Sequence, residues 1–358
     1  MIHVIIGTRA QLIKVAPILI ELKSRRINHL FVFTGQHTAT IDALIELFKI
    51  RHPDFRLYNG REITRIGQAF LWSFKCILRS FPLRKNPDKQ NIALIHGDAY
   101  STILAAVIAK LLRMKIGHVE AGLRSFDYFD PFPEEITRVL ASKLTDVHFC
   151  PGKWAVSNVE SESGIKVNIG VNTLYDTLRL FVNSESEVLV DIPESKYAVV
   201  SVHRFENVYS KERLKHIVNL VNSISKKIHL LFVLHPITEH SLRSYKLLET
   251  LKQNDSVEFR RRCDYFRFIK LMVNSEFIIT DGGSNQEESY YLGKPCLLFR
   301  DKTERLEGLG RNVVLSRFNE GTIQRFVENY TQHRYPFLKV NEKPSKIIVD
   351  FLEKWESK

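Results

Sequence analysis

GHVEAGLRSFDYFDPFPEEITRVLASKL, residues 117–144, decides how the rest of the chain is read. It opens as the end of a short apolar strand, Lys115 to Val119. It then breaks into a loop carrying Glu120, Arg124, Asp127 and Asp130, and order resumes at Pro133. Pro suits the first position of a helix, and Glu134 and Glu135 fall in the first turn, where the helix dipole favours carboxylates. Glu120 has no such explanation. It follows Ile116-Gly117-His118-Val119, a run that reads as a strand buried on both faces, and a buried carboxylate is costly unless it is paired or used. Acids at strand ends of an open parallel sheet sit where such sheets bind ligands.

Outward from this stretch, strands and helices alternate. Val4 to Ile6 is a strand, Gly7-Thr8-Arg9 a tight turn, and Gln11 to Lys23 a helix by the spacing of Leu12, Ala16 and Ile20. Leu30–Thr34, Ile92–Ile95, Lys115–Val119 and Val147–Phe149 read as further strands. Helices are expected around Ile41 to Phe48, over Ile63–Leu78 and over Ser101–Leu112. Between Cys150 and Glu194 the pattern breaks, with a short helix at Leu174–Phe181 and a polar SESE run. It restarts with strands at Tyr197–Val202, His229–Leu234, Phe277–Thr280 and Pro295–Phe299. Such alternation means βαβ units and a parallel sheet. The expected fold class is therefore α/β, two Rossmann-like doubly wound domains facing across a cleft. The expected boundaries are 1–168, 169–342 and a C-terminal helix within 343–358, packing back on the N-terminal domain.

The chain has 358 residues, room for two domains, and a formal net charge of +12. A basic protein attracts nucleic acid, anionic membrane or anionic small molecules. The basic residues are spread out, with knots at Arg79–Lys89 and Arg260–Arg262, and no nucleic-acid module signature is present. Most of them read as solvated faces, with peripheral membrane attachment a reading confined to the knot around Phe81. Cys76, Cys150, Cys263 and Cys296 are scattered without a C-x-x-C pair, which indicates neither a disulfide framework nor a zinc site. No metal is expected. Met1 leads straight into a strand and no apolar run reaches spanning length, so no secretory signal, no membrane insertion and a cytoplasmic location are expected.

Five further clusters fall at strand ends. Gly7-Thr8-Arg9, with Lys14 one turn into the helix, sets two cations where turn amides and the helix dipole favour an anion, although neither a P-loop nor a dinucleotide fingerprint is present. The bland reading is an exposed pair of cations. Asp98 of His96-Gly97-Asp98 taken alone is best read as a helix cap. His203 ends the first strand of the second half, where a lone His is more often structural. Thr280-Asp281-Gly282-Gly283-Ser284 runs from a strand through a double Gly into a helix, an anion site for phosphate, and Glu288 lies one turn on. The charged loop Arg300–Arg305 brings Arg305 beside it.

These pieces, in this order, resemble the UDP-N-acetylglucosamine 2-epimerase family, of two-domain GT-B architecture. The matches are GTR-x-x-x-IK-x-AP at Gly7–Pro17, TGQH at Thr34–His37, HGD at His96–Asp98, GHVEAGLR at Gly117–Arg124 and P-x-PEE-x-x-R at Pro131–Arg138. HR at His203-Arg204, QEE-x-x-x-LGKP at Gln286–Pro295 and RD-x-TER at Arg300–Arg305 complete them. The resemblance implies that Asp98, Glu120 and Glu134 are acid/base carboxylates and that His203 stands at the UDP leaving group. It implies that Arg9, Lys14, Gln36 and Arg138 line the active site or steady the phosphates. Gly282, Gly283, Ser284, Glu288 and Arg305 are then the residues that hold UDP. It further implies a UDP-sugar substrate, no cofactor, no nucleic-acid partner and a homodimer. Glu135 is left as a helix-dipole carboxylate.

The implied activity is inversion at C2 of UDP-N-acetylglucosamine, by elimination of UDP and re-addition through 2-acetamidoglucal, for surface polysaccharide synthesis. Such a reaction needs two positioned acid/base groups and cations aimed at the departing diphosphate. The sequence departs from the family pattern at four places. Ala10-Gln11 replaces Pro and an acid, and Gly282-Gly283-Ser284 shifts a hydroxyl. His235–Thr238 lacks the pattern linked to an allosteric sugar-nucleotide site, and Leu306–Gly310 diverges. A hydrolysing epimerase, an epimerase of a related UDP-2-acetamido sugar, a GT-B glycosyltransferase and a non-catalytic binder are the competing readings. Three carboxylates are more than the last two need.

Overall fold

The computed structural model describes residues 1–37, 41–60, 63, 66–83, 91–129, 132–182, 191–303 and 305–356. Asp130, Pro131, Glu304, the SESE run and most of the basic knot, Arg84 to Lys89, lie outside the described residues. Two compact units form, Met1–Leu180 with Val340–Lys358, and Phe181–Lys339.

The first unit holds a parallel sheet of β1 (Ile2–Ile6), β2 (His29–Phe33), β3 (Phe55–Arg56), β4 (Ile92–His96), β5 (Lys115–Val119), β6 (Val147–Cys150) and β7 (Ile165–Asn168) in the order 3-2-1-4-5-6-7. In register, Val4 lies opposite Leu94, and His96 opposite Val119. The central strands are buried along their length because helices cover both faces, which is why they read as continuous apolar runs. Gly117 in β5 is required by close approach. A Cβ there would lie 2.8 Å from Leu94 Cδ2 and 3.1 Å from Phe149 Cε2.

The second unit repeats the design with β8 (Tyr197–Ser201), β9 (His229–Leu234), β10 (Val257–Arg261), β11 (Ile278–Thr280), β12 (Cys296–Leu298) and β13 (Val313–Leu315), ordered 10-9-8-11-12-13 and parallel. Its core packs Val200, Phe232, Leu242, Ile279 and Phe299. In both sheets the order reverses beside the first strand, between β1 and β4 and between β8 and β11. The crevice outside the carboxyl ends at such a switch point is where doubly wound sheets bind ligands.

Several boundaries differ from the sequence reading. The first sheet ends with β7, which lacks an apolar signature, and the first unit runs on to Leu180, past the expected boundary at 168, because the next helix packs on it: Thr177 Oγ1 donates to the Ile13 carbonyl at 2.6 Å. The expected helix Ile63–Leu78 is Ile66–Ser80. Pro133 sits just before its helix, Glu134–Leu144, instead of inside it. The Arg260–Arg262 knot is a largely solvated face, with Arg261 and Arg262 exposed, and Arg260 and Arg261 end the edge strand β10, where charge discourages pairing with other chains. The C-terminal helix Pro344–Glu356 belongs to the first unit, where Ser345 N donates to Asp176 Oδ2 at 2.7 Å and Phe351 meets Phe149 edge-on at 5.5 Å. Among the described residues, no helix is long and apolar enough to cross a membrane.

Candidate functional site

In the first unit the polar groups gather where β1, β4 and β5 end. Glu120 is the residue after β5 and is buried, with its backbone in the left-handed region at φ 65°. That conformation is uncommon outside glycine and costs about 1–3 kcal/mol, so neighbouring contacts must impose it. Lys14, from the helix Arg9–Ser24, supplies them. Its Nζ donates to Glu120 Oε1 at 2.8 Å and to Oε2 at 2.7 Å. The buried His96 lies with Nε2 3.2 Å from Glu120 Oε2. Burial, only partly opposed by the Glu120 carboxylate, pushes His96 from 6.5 down to about 4. Burial likewise takes His118 to about 4, with Nε2 2.8 Å from the Gly97 carbonyl. Both imidazoles are therefore neutral at pH 7, and Lys14 is the cation that answers Glu120.

Asp98 does not cap the helix that follows it. That helix, Tyr100–Leu111, is preceded by Ala99 at the cap and has no side-chain cap bond. Asp98 Oδ2 instead accepts from Arg138, at 2.9 Å from Nε and 2.6 Å from Nη2. Arg138 is buried and also reaches Glu135 Oε2 at 3.3 Å. Glu135, read from sequence as a dipole carboxylate, is the fully buried member of the pair, while Glu134 is half-buried. The Glu135 carboxylate accepts from Arg124 Nε at 2.5 Å, Ser125 N at 3.0 Å and Phe126 N at 3.3 Å. Burial opposes its ionisation, but the Ser125 amide and the Arg124 and Arg138 guanidiniums outweigh burial and hold its carboxyl below the ordinary value of 4.5.

Gln11, a departure from the family pattern, ties two strand ends together. Its Oε1 accepts from Gly7 N at 2.8 Å, Thr8 N at 3.1 Å and Ser101 Oγ at 2.9 Å. Its Nε2 donates to the His96 carbonyl at 2.7 Å and to Thr102 Oγ1 at 3.0 Å. An ionised carboxylate can only accept, so the amide is what serves both sets. Gln36 Oε1 accepts from Ser101 N at 2.9 Å in the same corner, and Arg9, half-buried, opens the helix after the capping residue Thr8.

In the second unit Thr280 of β11 lies opposite Ser201 of β8, so their strand ends are neighbours. Asp281 is fully buried, and its carboxylate accepts from His203 N at 3.0 Å, Arg204 N at 2.9 Å and Asn207 Nδ2 at 2.9 Å. His203 is half-exposed and stacks on His235 with ring centres 4.2 Å apart. Gly282 precedes the helix Gly283–Leu292, with Ser284 exposed in its first turn. Glu288, buried, accepts from Asn285 Nδ2 at 2.9 Å. Arg305 is not an open surface cation. It is buried, and its Nη1 donates to Glu287 Oε2 at 2.9 Å. Gln286 Nε2 donates to the carbonyls of Arg305 and Glu307 at 3.1 and 3.0 Å, which holds that loop against the helix.

Thus the first unit brings Lys14, Asp98, Glu120 and Arg138 together with Arg9 and Gln36 at adjoining strand ends, and the second does so for His203, Gly282, Gly283 and Glu288. Asp281, Glu287 and His96 were missed as site members. The signal for Asp281 was available, since it is an acid directly after a buried strand, the same anomaly that singled out Glu120. Among the described residues no cluster of His, Cys, Asp and Glu could hold a metal ion.

A family model described as UDP-N-acetylglucosamine 2-epimerase matches residues 20–345. A UDP-N-acetylglucosamine 2-epimerase of Methanococcus maripaludis is 32% identical over 326 residues, covering 87% of this chain and 86% of that protein. A Pseudomonas aeruginosa protein named UDP-2,3-diacetamido-2,3-dideoxy-D-glucuronate 2-epimerase is 30% identical, with 87% of each chain covered. The solved structure of the Methanocaldococcus jannaschii UDP-GlcNAc 2-epimerase in complex with UDP-GlcNAc and UDP superposes with a TM-score of 0.79 at 29% identity over 99% of both chains.

The Glu135 hub predicts a pH-dependent stability difference. Glu135→Gln leaves Arg124 and Arg138 short of a buried counter-charge, a loss of about 3 kcal/mol at pH 7. Because the folded carboxyl lies below its ordinary value, its contribution is full above about 4.5 and is lost as pH falls through the folded value. Urea unfolding of the two proteins at a series of pH values is expected to give a constant gap down to about pH 5 that narrows below it. A gap under about 1 kcal/mol at pH 7 would remove Glu135 as an anchor.

Proposed function

The chain belongs to the UDP-N-acetylglucosamine 2-epimerase family, and from that premise we propose that it interconverts UDP-N-acetylglucosamine and UDP-N-acetylmannosamine by inverting C2 of the sugar. The observation that carries this reading is the pair of carboxylates at neighbouring strand ends, Asp98 and Glu120, each paired with a buried cation, Arg138 and Lys14. Binding a sugar nucleotide does not require two such groups, whereas moving a proton off one face of C2 and onto the other does.

In the first half-reaction a carboxylate takes the C2 hydrogen as a proton. The C2–H electron pair becomes the C1=C2 double bond, and the C1–O pair leaves with UDP. The intermediate is 2-acetamidoglucal. In the second half-reaction a proton is delivered to the other face of C2 as UDP re-adds at C1. Asp98, Glu120 and Glu134 are the acid/base carboxylates, with Glu135 reserved for the anchor described above. Arg9, Lys14, Gln36 and Arg138 orient these groups and the substrate. His203 serves the departing β-phosphate. The Gly282-Gly283-Ser284 turn at a helix N-terminus, Glu288 and Arg305 hold UDP, Arg305 with its guanidinium oriented by Glu287. The product serves surface polysaccharide synthesis. A second reading, epimerisation of a related UDP-2-acetamido sugar, is favoured by the Pseudomonas aeruginosa relative and by the divergent Leu306–Gly310 stretch.

We propose a homodimer through the first unit. The helix Ile66–Ser80 and the turn after it expose Phe70, Leu71, Phe74, Leu78 and Phe81, each by more than half. At roughly 200 Å² per aromatic ring the three phenylalanines alone expose about 350 Å². With the two leucines the patch comes to about 550 Å², roughly two-thirds of the ~800 Å² per partner in a stable interface, the rest falling to the surrounding rim. Phe70→Glu with Phe74→Glu is expected to convert a dimer to a monomer in sedimentation velocity. A wild-type monomer at micromolar concentration would refute the assignment.

The activity is read directly by NMR of the purified protein with UDP-N-acetylglucosamine in deuterated water. Deuterium at C2 of intact UDP-sugar is the expected outcome. Free N-acetylmannosamine with UDP would instead mark a hydrolysing epimerase, and no exchange with UDP-N-acetylglucosamine would shift the substrate to a related 2-acetamido sugar or end the epimerase reading. Asp98→Asn and Glu120→Gln are each expected to slow exchange by at least about a hundredfold. Near-wild-type turnover in either variant would take that carboxylate out of the mechanism.

A further inference from the structure

The sequence singled out His203 but left open what fixes its ring. In the second unit three groups bracket it. Asp281, at the end of β11, is fully buried, and its Oδ1 lies 3.4 Å from His203 Nδ1. Both Asp281 oxygens also lie 3.0 Å from His203 N, so the carboxylate holds the backbone and faces one edge of the ring. His235, just past β9, covers a face of the ring at 4.2 Å with the planes 14° apart. Gly282 closes the third side, since a Cβ there would stand 2.9 Å from His203 Cε1. Asp281 itself is clamped by Arg204 N and Asn207 Nδ2, and Asn207 Nδ2 also donates to the Phe299 carbonyl at 3.0 Å. The carboxylate therefore cannot turn away.

We propose that Asp281 is the positioning residue of His203. Its carboxylate accepts from the Nδ1–H of His203 and leaves Nε2 as the nitrogen offered to ligand. This rests on the reading of His203 as the group at the departing β-phosphate. A buried carboxylate on one ring nitrogen fixes the tautomer and steadies the imidazolium, so the other nitrogen carries a transferable proton. As the C1–O bond breaks, the proton on Nε2 passes to the β-phosphate oxygen that receives the electron pair, and the ring becomes neutral with its hydrogen on Nδ1. On re-addition the proton returns to Nε2. At 3.4 Å the pair does not yet meet hydrogen-bond geometry, and among the described residues His203 Nδ1 is buried without another hydrogen-bond partner. Catalytic hydrogen bonds are often long before substrate binds and tighten in the complex. His235 contributes a second imidazole against the ring face and limits how the ring can turn. Asp281, just after β11, and His235, just after β9, face the ring, and Arg204 next to it pairs with Glu206 of the following helix.

Asp281→Asn keeps the shape and an acceptor oxygen but removes the charge. In the full-length enzyme kcat is expected to fall about tenfold to a hundredfold, the range for removing a group that orients another. UDP affinity by calorimetry is expected to stay within about threefold, since the loss is in orientation and not in binding. In a His203→Gln background the same substitution is expected to add less than about twofold, because groups that act as one unit are not additive. Additive losses, or a kcat within twofold of wild type, would reduce Asp281 to a backbone clamp and leave the epimerase reading standing. Should Asp281→Asn not fold, 15N NMR of histidine-labelled wild type with UDP decides: His203 protonated at Nδ1 supports the proposal, and a bare Nδ1 overturns it. Failure of the epimerase reading would show separately, as absence of C2 exchange in the wild type.

Discussion

The ion pair of Lys14 with Glu120 is the contact on which the first unit's site depends. It solves a problem set by the chain itself, a carboxylate at the end of a central strand, buried and in left-handed backbone. Removing such a charge from water costs several kcal/mol even after relaxation. The cation comes from the helix after β1 and reaches the end of β5, with β4 between them in the sheet. The order 1-4-5 leaves those two ends one strand apart, within reach of a lysine side chain. The charge pair therefore depends on a topology that keeps β1 and β5 close.

Side-chain cations answer several carboxylates of the two units, and Asp281 is an exception. In the first, side-chain cations do it: Lys14 for Glu120, Arg138 for Asp98, and Arg124 with Arg138 for Glu135. In the second, Arg305 does the same for Glu287, whereas Asp281 is met by two backbone amides and an Asn side chain. A side-chain cation favours the ionised form of its carboxylate and can move with it. Backbone amides are fixed and hold a carboxylate in place, which suits a group that orients a neighbour.

Most of this fold was legible. Continuous apolar runs of five residues and helical spacing located the central strands of both sheets, because buried parallel strands leave that trace. The edges were not legible. β7 is half exposed and β10 carries arginines, so neither shows an apolar run. At the site, motif residues at strand ends were found, but their partners were not. Lys14 and Arg305 looked like cations waiting for phosphate, and each has a buried carboxylate that no local pattern announces, 106 and 18 residues away in sequence. Asp98 looked like a cap because Asp often is one, and tertiary pairing with Arg138 overrides that preference.

The choice between Glu134 and Glu135 shows why such assignments need the backbone. Adjacent helical residues point about 100° apart, so one of two neighbouring carboxylates can face the interior while the other does not. Sequence offers no sign of which. The entry of the chain decides it. Pro133 stands just outside the helix, and the segment Arg124–Phe126 folds back over the first turn so that its amides and guanidinium converge on residue 135. Once Glu135 binds that segment, its oxygens are committed: ionised, surrounded by donors and held below the ordinary carboxyl range, it is a poor proton acceptor. Glu134 is left half-buried on a helix whose start is held rigid by its neighbour. The paired acids thus divide into one that builds the turn and one whose position that turn fixes.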